Sequence, residues 1–256
     1  MADHVALQSK ICVIADVHSN LAAMKAVVQD AGEVDAWWCL GDVVGYGPDP
    51  NECTALAAEI DALCVAGNHD VASLGRMSLG MFNIDARASD QWTSTVLDES
   101  SARFLESLPQ TRSACDGLAF LVHGSPRDPL WEYILNSEEA RDNFGEFEND
   151  VCFCGHTHMP VVFAEKRVGV SGEGTGTLVP EDGEWIELAE DSRYIVNVGS
   201  VGQPRDSDPR ACYAVFEPLK RLVTYYRVAY QVEQTQERME ELGLPVFLIK
   251  RLALGR

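Results

Sequence analysis

The sequence predicts an α/β fold, and three observations predict it. Apolar runs of strand length recur at residues 11–15, 36–40, 63–66, 119–122 and 151–154, and each ends in a short polar loop. The first two of those loops lead into helix-like segments, the opening of a βαβ pattern in which ligand-binding loops gather at the carboxyl ends of the strands. With 256 residues, 46% of them apolar, the chain is long enough to bury one large core. A single domain over residues 1–256 is therefore expected, with an inserted cap.

Residues 11–15 form an uninterrupted apolar run, as a strand covered on both faces requires, and lead into Asp16-Val17-His18-Ser19-Asn20. Asn20 is placed to cap the helix that starts at Leu21. The second strand, 36–40, ends in Gly41-Asp42-Val43-Val44-Gly45-Tyr46-Gly47, whose glycines let the backbone turn tightly and approach a ligand. Asp49-Pro50 opens a helix over about 51–60. The third strand, 63–66, ends in Gly67-Asn68-His69-Asp70. Residues 71–110 change character: Trp92, Val96, Leu97, Phe104, Leu105 and Leu108 stand at helical spacing and predict a mostly helical stretch from 84 to 108, read as a cap beside the site. The fourth strand ends in His123-Gly124-Ser125-Pro126 and the fifth in Gly155-His156-Thr157-His158. Short runs between Gly-rich turns at 161–188, including 169–176, predict hairpins, and no Gly-Lys-Ser/Thr ending marks a phosphate loop there. Residues 194–198 lead to Gly199-Ser200-Val201-Gly202-Gln203-Pro204-Arg205; 212–216 and 222–228 form a strand pair, and 231–242 an amphipathic helix.

Composition narrows the function. Forty acidic against twenty basic residues give a net charge of −20, which opposes any polyanion held over a wide face, so extended DNA or RNA is excluded as a partner. A phosphorylated substrate would need local positive charge, such as bound metal ions. The N-terminus lacks a signal-peptide pattern and no 18 apolar residues run together, so a soluble, cytoplasmic protein with no membrane partner is expected. Of eight cysteines, Cys12, Cys39, Cys64, Cys152, Cys154 and Cys212 lie inside the apolar runs and are predicted to be reduced, buried thiols. Cys152-Phe153-Cys154 lacks the C-x-x-C spacing of a structural zinc site.

Collected, the strand-end residues Asp16, His18, Asp42, Asn68, His123, His156 and His158 are oxygen and nitrogen donors enough for two ions, and five of the six histidines fall in these loops. The ordered series Asp-x-His, Gly-Asp-x-x-Gly, Gly-Asn-His-Asp, His-Gly and Gly-His-Thr-His resembles the calcineurin-like metallophosphoesterase superfamily over residues 11 to about 205. Asn197-x-Gly199-Ser200-Val201 through Arg205 is similar to the bacterial branch related to diadenosine tetraphosphatases. The resemblance implies a four-layer α/β/β/α sandwich of two mixed sheets. It also implies Asp16, His18 and His158 on one metal, Asn68, His123 and His156 on the other, and Asp42 bridging. A carboxylate can bridge ions ~3.5–4 Å apart, the spacing of two-metal phosphoryl-transfer sites. Mixed imidazole and carboxylate donors without thiolate suit Mn, Fe or Zn without choosing among them.

His69, left off both metals, is expected to face the leaving group as general acid or as imidazolium, with Asp70 orienting it. Arg205 is expected to clamp a phosphate oxygen, with Asn68 and Tyr46 also contacting substrate. Phe82, Trp92 or Tyr46 is expected to border the metals as an apolar wall for a base or aromatic group. One departure bears on substrate: where the protein Ser/Thr phosphatases continue Gly-Asp-x-x-Asp-Arg-Gly, this chain has Gly45-Tyr46-Gly47, without the acid and the arginine. The expected activity is dinuclear metal-dependent hydrolysis of a small phosphodiester or nucleotide-type substrate by metal-activated hydroxide. The alternatives are a dinucleoside polyphosphate hydrolase and a non-catalytic, metal-stabilised binding module.

Overall fold

Two six-stranded mixed sheets face each other in the computed structural model, which describes residues 9–167 and 175–256. The first sheet contains β1 (Ile11–Ile14), β2 (Ala36–Cys39), β3 (Leu63–Cys64), β9 (Trp185–Glu187), β11 (Ala211–Glu217) and β12 (Leu222–Val228), in the order β3-β2-β1-β11-β12-β9. The second contains β4 (Thr111–Ala114), β5 (Ala119–Val122), β6 (Val151–Cys154), β7 (Val161–Lys166), β8 (Thr175–Leu178) and β10 (Ser192–Asn197), in the order β4-β5-β6-β10-β7-β8. Each sheet is parallel at its functional end, β3-β2-β1 in one and β5-β6-β10 in the other, and antiparallel elsewhere. The parallel strands put their carboxyl ends side by side, which is why five loops separated by up to 140 positions meet.

Alternation along the strands builds three layers of packing. Ile11, Val13, Trp38, Leu121, Phe153, Val196 and Phe216 fill the space between the sheets, with the Trp38, Phe153 and Phe216 rings 5.0 to 5.9 Å apart. The opposite residues of the first sheet, Cys12, Ile14, Trp37 and Tyr213, pack on α1 (Leu21–Ala31), α2 (Pro50–Glu59) and Leu105. On the second sheet, Val122, Cys152, Phe163 and Ile195 pack on α6 (Ser137–Phe144). The result is a four-layer α/β/β/α sandwich. All eight cysteines are buried and free, six of them on strands, with Cys53 in α2 and Cys115 in the turn after β4.

Three details differ from the sequence reading. The stretch at 71–110 divides: α3 (Asn68–Ser73) and α4 (Ile84–Val96) flank the site, whereas α5 (Glu99–Glu106) packs on α2. There Leu97, Phe104, Leu105 and Leu108 join the outer layer of the first sheet. The inward face of α4 is Ala86, Ser89, Asp90 and Thr93, at i, i+3, i+4 and i+7, while Val96 is exposed. The 161–188 region is one hairpin, β7 with β8, followed by β9, which crosses to the edge of the other sheet and pairs with β12; residues 169–174 of the Gly-rich turn, like His4, lie outside the described residues. Finally, the helix expected at 231–242 is α7 (Val232–Glu241), and a further short helix, α8 (Val246–Leu252), follows it; both pack with Tyr46 and Phe82 beside the site.

Candidate metal centre and active site

Each site residue sits where a strand stops and the chain must turn sharply. Asp16, His18, Asp42, His156 and His158 all have positive φ, between 49° and 65°, a region that non-glycine residues rarely occupy. The strain is held by neighbouring loops: the N–H groups of Asp16, His18 and Ser19 donate to the carbonyls of Gly41, Asp42 and Val43. The His156 N–H donates to both oxygens of Asp16 at 3.2 and 3.0 Å. Backbone strain stored at a site and over-determined by its surroundings is a common mark of function. Close approach decides two glycines: a Cβ at Gly67 would lie 2.1 Å from Asp42 Oδ1, and one at Gly155 would lie 2.7 Å from Asp16 Oδ2.

Two buried triads result, Asp16-His18-His158 and Asp42-His123-His156. In the first, His158 Nε2 is 3.2 Å from His18 Nε2 and 3.3 Å from Asp16 Oδ1. In the second, His123 Nε2 is 3.1 Å from His156 Nδ1, and Asn68 Oδ1 stands 3.0 Å from it. Between the triads lies Asp42 Oδ2, 3.6 Å from His18 Nε2 and 3.3 Å from His123 Nε2, buried and without a hydrogen bond. The other oxygen, Oδ1, accepts the His69 N–H at 2.9 Å.

The outer nitrogens set which atom faces inward. Nδ1 of His18, His123 and His158 donates to the carbonyls of Val44, Leu40 and Gln203 at 3.2, 2.8 and 2.6 Å, and Nε2 of His156 donates to that of Trp131 at 3.2 Å. Each ring thereby points a lone pair into a space shared with carboxylate oxygens, the outer-shell arrangement of metal-binding imidazoles. Lone pairs and carboxylates converging in a buried space are what bound cations would satisfy. The donor set fits divalent ions.

Burial holds His18 and His158 well below the usual imidazole range and His156 down to about 3, so these three are neutral at pH 7. Burial also works against charge on His123, but the adjacent Asp42 carboxylate prevails and raises it to about 9. Asp42, despite burial, is lowered by His123, His69 and His18, whereas burial raises Asp16 to about 7.

His69 lies outside both triads. Its ring sits 4.4 Å from Tyr46, 5.0 Å from His18 and, edge-on, 5.0 Å from Phe82. The acid on its Nδ1 is Asp90 of α4, at 2.8 Å. Asp70 does not orient it: its oxygens accept the N–H groups of Asp42, Val44 and Gly67 at 2.9, 3.1 and 2.9 Å and so tie together the loops after β2 and β3. Adjacent residues on a helix diverge by about 100°, which is why the helical turn of α3 sends His69 and Asp70 to different neighbours.

Tyr46 and Phe82 wall the His69 ring and are themselves almost fully covered, while Trp92 is half-buried behind them in the same cluster. The more accessible ring is Tyr133, 42% exposed and stacked on His156 at 4.1 Å and 11°. Arg205 lies over the Tyr46 ring at 5.9 Å, beside the Tyr133 phenol, and donates from Nη2 to Gln203 Oε1 at 3.0 Å. Asp90, Trp131 and Tyr133 were not singled out by motif. Asp90 had a legible signal, a carboxylate on the Ala86-Ser89-Asp90-Thr93 face of an amphipathic helix; Trp131 and Tyr133 lie in a loop without periodicity.

A sandwich with two histidine and carboxylate triads at its strand ends defines a metallophosphoesterase-type hydrolase. The chain belongs to the calcineurin-like phosphoesterase superfamily, whose domain matches residues 10–221. It is similar to the crystal structure of a metallophosphoesterase from Sphaerobacter thermophilus, at 45% identity and TM-score 0.84, covering 97% of this chain and 100% of that one. It is 37% identical to the uncharacterized protein MJ0912 of Methanocaldococcus jannaschii, over 98% of this chain and 100% of the relative. The fold is shared with the hypothetical protein PH1004 of Pyrococcus horikoshii OT3, at 19% identity and TM-score 0.75 over 96% and 98% of the two chains.

Proposed function

We propose that the protein is a dinuclear metal-dependent phosphoesterase that hydrolyses a small phosphodiester or nucleotide-type substrate. The observation that carries this reading is Asp42 Oδ2, buried without a hydrogen bond and within 3.6 Å of a ligand nitrogen from each triad. Asp16, His18 and His158 would hold one divalent ion, and Asn68, His123 and His156 the other. When bound, such ions supply Lewis acidity toward phosphoryl oxygens and make water a nucleophile near neutral pH.

The chain's own residues supply the rest. Arg205, supported by Gln203, takes a non-bridging phosphate oxygen. His69, as imidazolium, gives its Nε2 proton to the ester oxygen as that P–O bond breaks and the bond from water oxygen to phosphorus forms; the proton lost by the water restores the imidazolium. Tyr133, stacked on His156 and partly exposed, supplies the face on which a base rests.

One observation favours a polyphosphate within this class. Arg251, at the end of α8 and outside the matched residues 10–221, is half-buried, and burial together with the nearby charge of Arg205 lowers it to about 10. Two neighbouring arginines on a chain of net charge −20 suit a second phosphate. The deciding test is hydrolysis of bis(p-nitrophenyl) phosphate with added Mn, expected for the wild type and abolished by Asp42→Ala. Metal-loaded, folded protein that turns over neither this ester nor any nucleotide overturns the reading.

A further inference from the structure

The inward face of α4 brings to the site a carboxylate that belongs to no motif. Asp90 is buried, its Oδ1 takes His69 Nδ1 at 2.8 Å, and its Oδ2 is buried without a hydrogen bond. The side chain is thus committed to a single partner. As a device for stability this is poor, because a buried carboxylate with one neighbour is costly to desolvate and an apolar residue of similar volume would serve better. The space between the two groups is made by Gly45. A Cβ there would stand 2.9 Å from His69 Cβ and Nδ1 and 3.0 Å from Asp90 Oδ1. Beside it, Ser89 Oγ accepts the Tyr46 N–H at 3.0 Å and donates to the Ala86 carbonyl at 3.1 Å, which pins α4 to the Gly45-Tyr46 turn.

We infer that Asp90 is the positioning residue for His69, acting through the gap that Gly45 leaves. By accepting the Nδ1 proton it fixes the tautomer and the rotation of the ring, and leaves Nε2 as the nitrogen that meets substrate. Tyr46 and Phe82 pack against the ring; Asp90 holds it by its Nδ1. Where the Ser/Thr phosphatase pattern has an acid in the loop, this chain has Gly45, and the acid comes from a helix 45 positions further on. The cap therefore takes part in the chemistry, through His69, as well as covering the site.

The leaving-group role of His69 rests on the phosphoesterase reading, so the test has one arm that uses turnover and one that does not. With aryl phosphodiesters whose leaving phenols rise in pKa, Asp90→Asn is expected to lower kcat at least ~10-fold for the poorest leaving group and only about 2-fold for p-nitrophenol, at unchanged metal content. Asp90→Glu restores part of the loss. Gly45→Ala reproduces it, and the double variant loses no more than either single one, as two changes at one contact should. An equal loss across the series, or none, overturns the inference. In the second arm, nitrogen NMR of zinc-loaded protein, read at a pH high enough for the ring to be neutral, is expected to show the His69 proton on Nδ1 in the wild type and its redistribution in Asp90→Ala. A tautomer unchanged by that substitution overturns the inference whatever the enzyme hydrolyses, whereas an inactive wild type with the expected tautomer shift sinks the phosphoesterase reading alone.

Discussion

Asp42 shows how much one side chain is asked to do: one oxygen anchors the His69 backbone, while the other faces His18 and His123. Neither asparagine nor glutamate reproduces that division, one for want of charge and the other for want of room against Gly67. His156 belongs to one triad only, so His156→Ala is expected to lower elemental content from two ions per chain toward one. A single ion per wild-type chain in saturating metal contradicts the bridging role of Asp42. The protonation states carry a second expectation. A histidine whose pKa is raised to about 9 is protonated at pH 7, and those pulled far down are already neutral. Ligands must be deprotonated to bind metal, so uptake at pH 7 should release about one proton from His123 and about half of one from Asp16, whose pKa is raised to about 7, and the release should fade as pH rises past 9. Calorimetry in buffers of different ionisation enthalpy measures it, and no release at pH 7 counts against His123 as a ligand.

At the scale of elements, the strand ends were readable and the helices less so. Residues such as Ile11, Cys12 and Val13 form a continuous apolar run because the strand is covered on both faces, and the polar residue ending each run had to lie at the carboxyl end of its strand. The partition of 71–110 was not legible, because the apolar spacing of Phe104 and Leu105 says that a helix packs and not against what. Asp90 is not legible from apolar periodicity, because the inward face of α4 that carries it is largely polar. β9 escaped because three residues of strand, Trp185–Glu187, carry too little pattern to choose a sheet. The closing motif, by contrast, has a mechanical meaning. Asn197 at the end of β10 donates to the Gly155 carbonyl at 2.5 Å and to Thr157 Oγ1 at 3.0 Å, and accepts the Gly199 N–H at 3.0 Å. It clamps the turn that bears His156 and His158. Asn197→Ala leaves buried groups unpaired at about 1–3 kcal/mol each, so denaturant unfolding should show a loss of that order together with weaker retention of metal on dialysis. A fully stable variant that releases its metal as slowly as the wild type would remove the clamp from the account.

Across the whole molecule, charge and shape act together on substrate choice. A net charge of −20 opposes long polyanions, whereas two arginines stand on this side of the molecule, Arg205 over the Tyr46 ring and Arg251 close enough for the charge of Arg205 to act on it. No described helix is long and apolar enough to cross a membrane. The accessible ring beside the centre, Tyr133, suits a planar base, and the paired arginines suit a second phosphate, so dinucleoside polyphosphates and nucleotides should be favoured over phosphopeptides. Gly45-Tyr46-Gly47, in place of the acid and arginine of the Ser/Thr phosphatases, points the same way, since Arg205 reaches the Tyr46 ring from the opposite loop. A panel of dinucleoside polyphosphates, cyclic nucleotides, mononucleotides and phosphopeptides separates the cases by kcat/KM. Arg251→Ala should raise KM most for substrates with adjacent phosphates and least for bis(p-nitrophenyl) phosphate, because the second arginine has nothing to hold in a simple diester. A preference for phosphopeptides above ~10-fold, about 1.4 kcal/mol of differential transition-state binding, would overturn the nucleotide assignment and show that Arg205 and Arg251 serve an extended acidic chain.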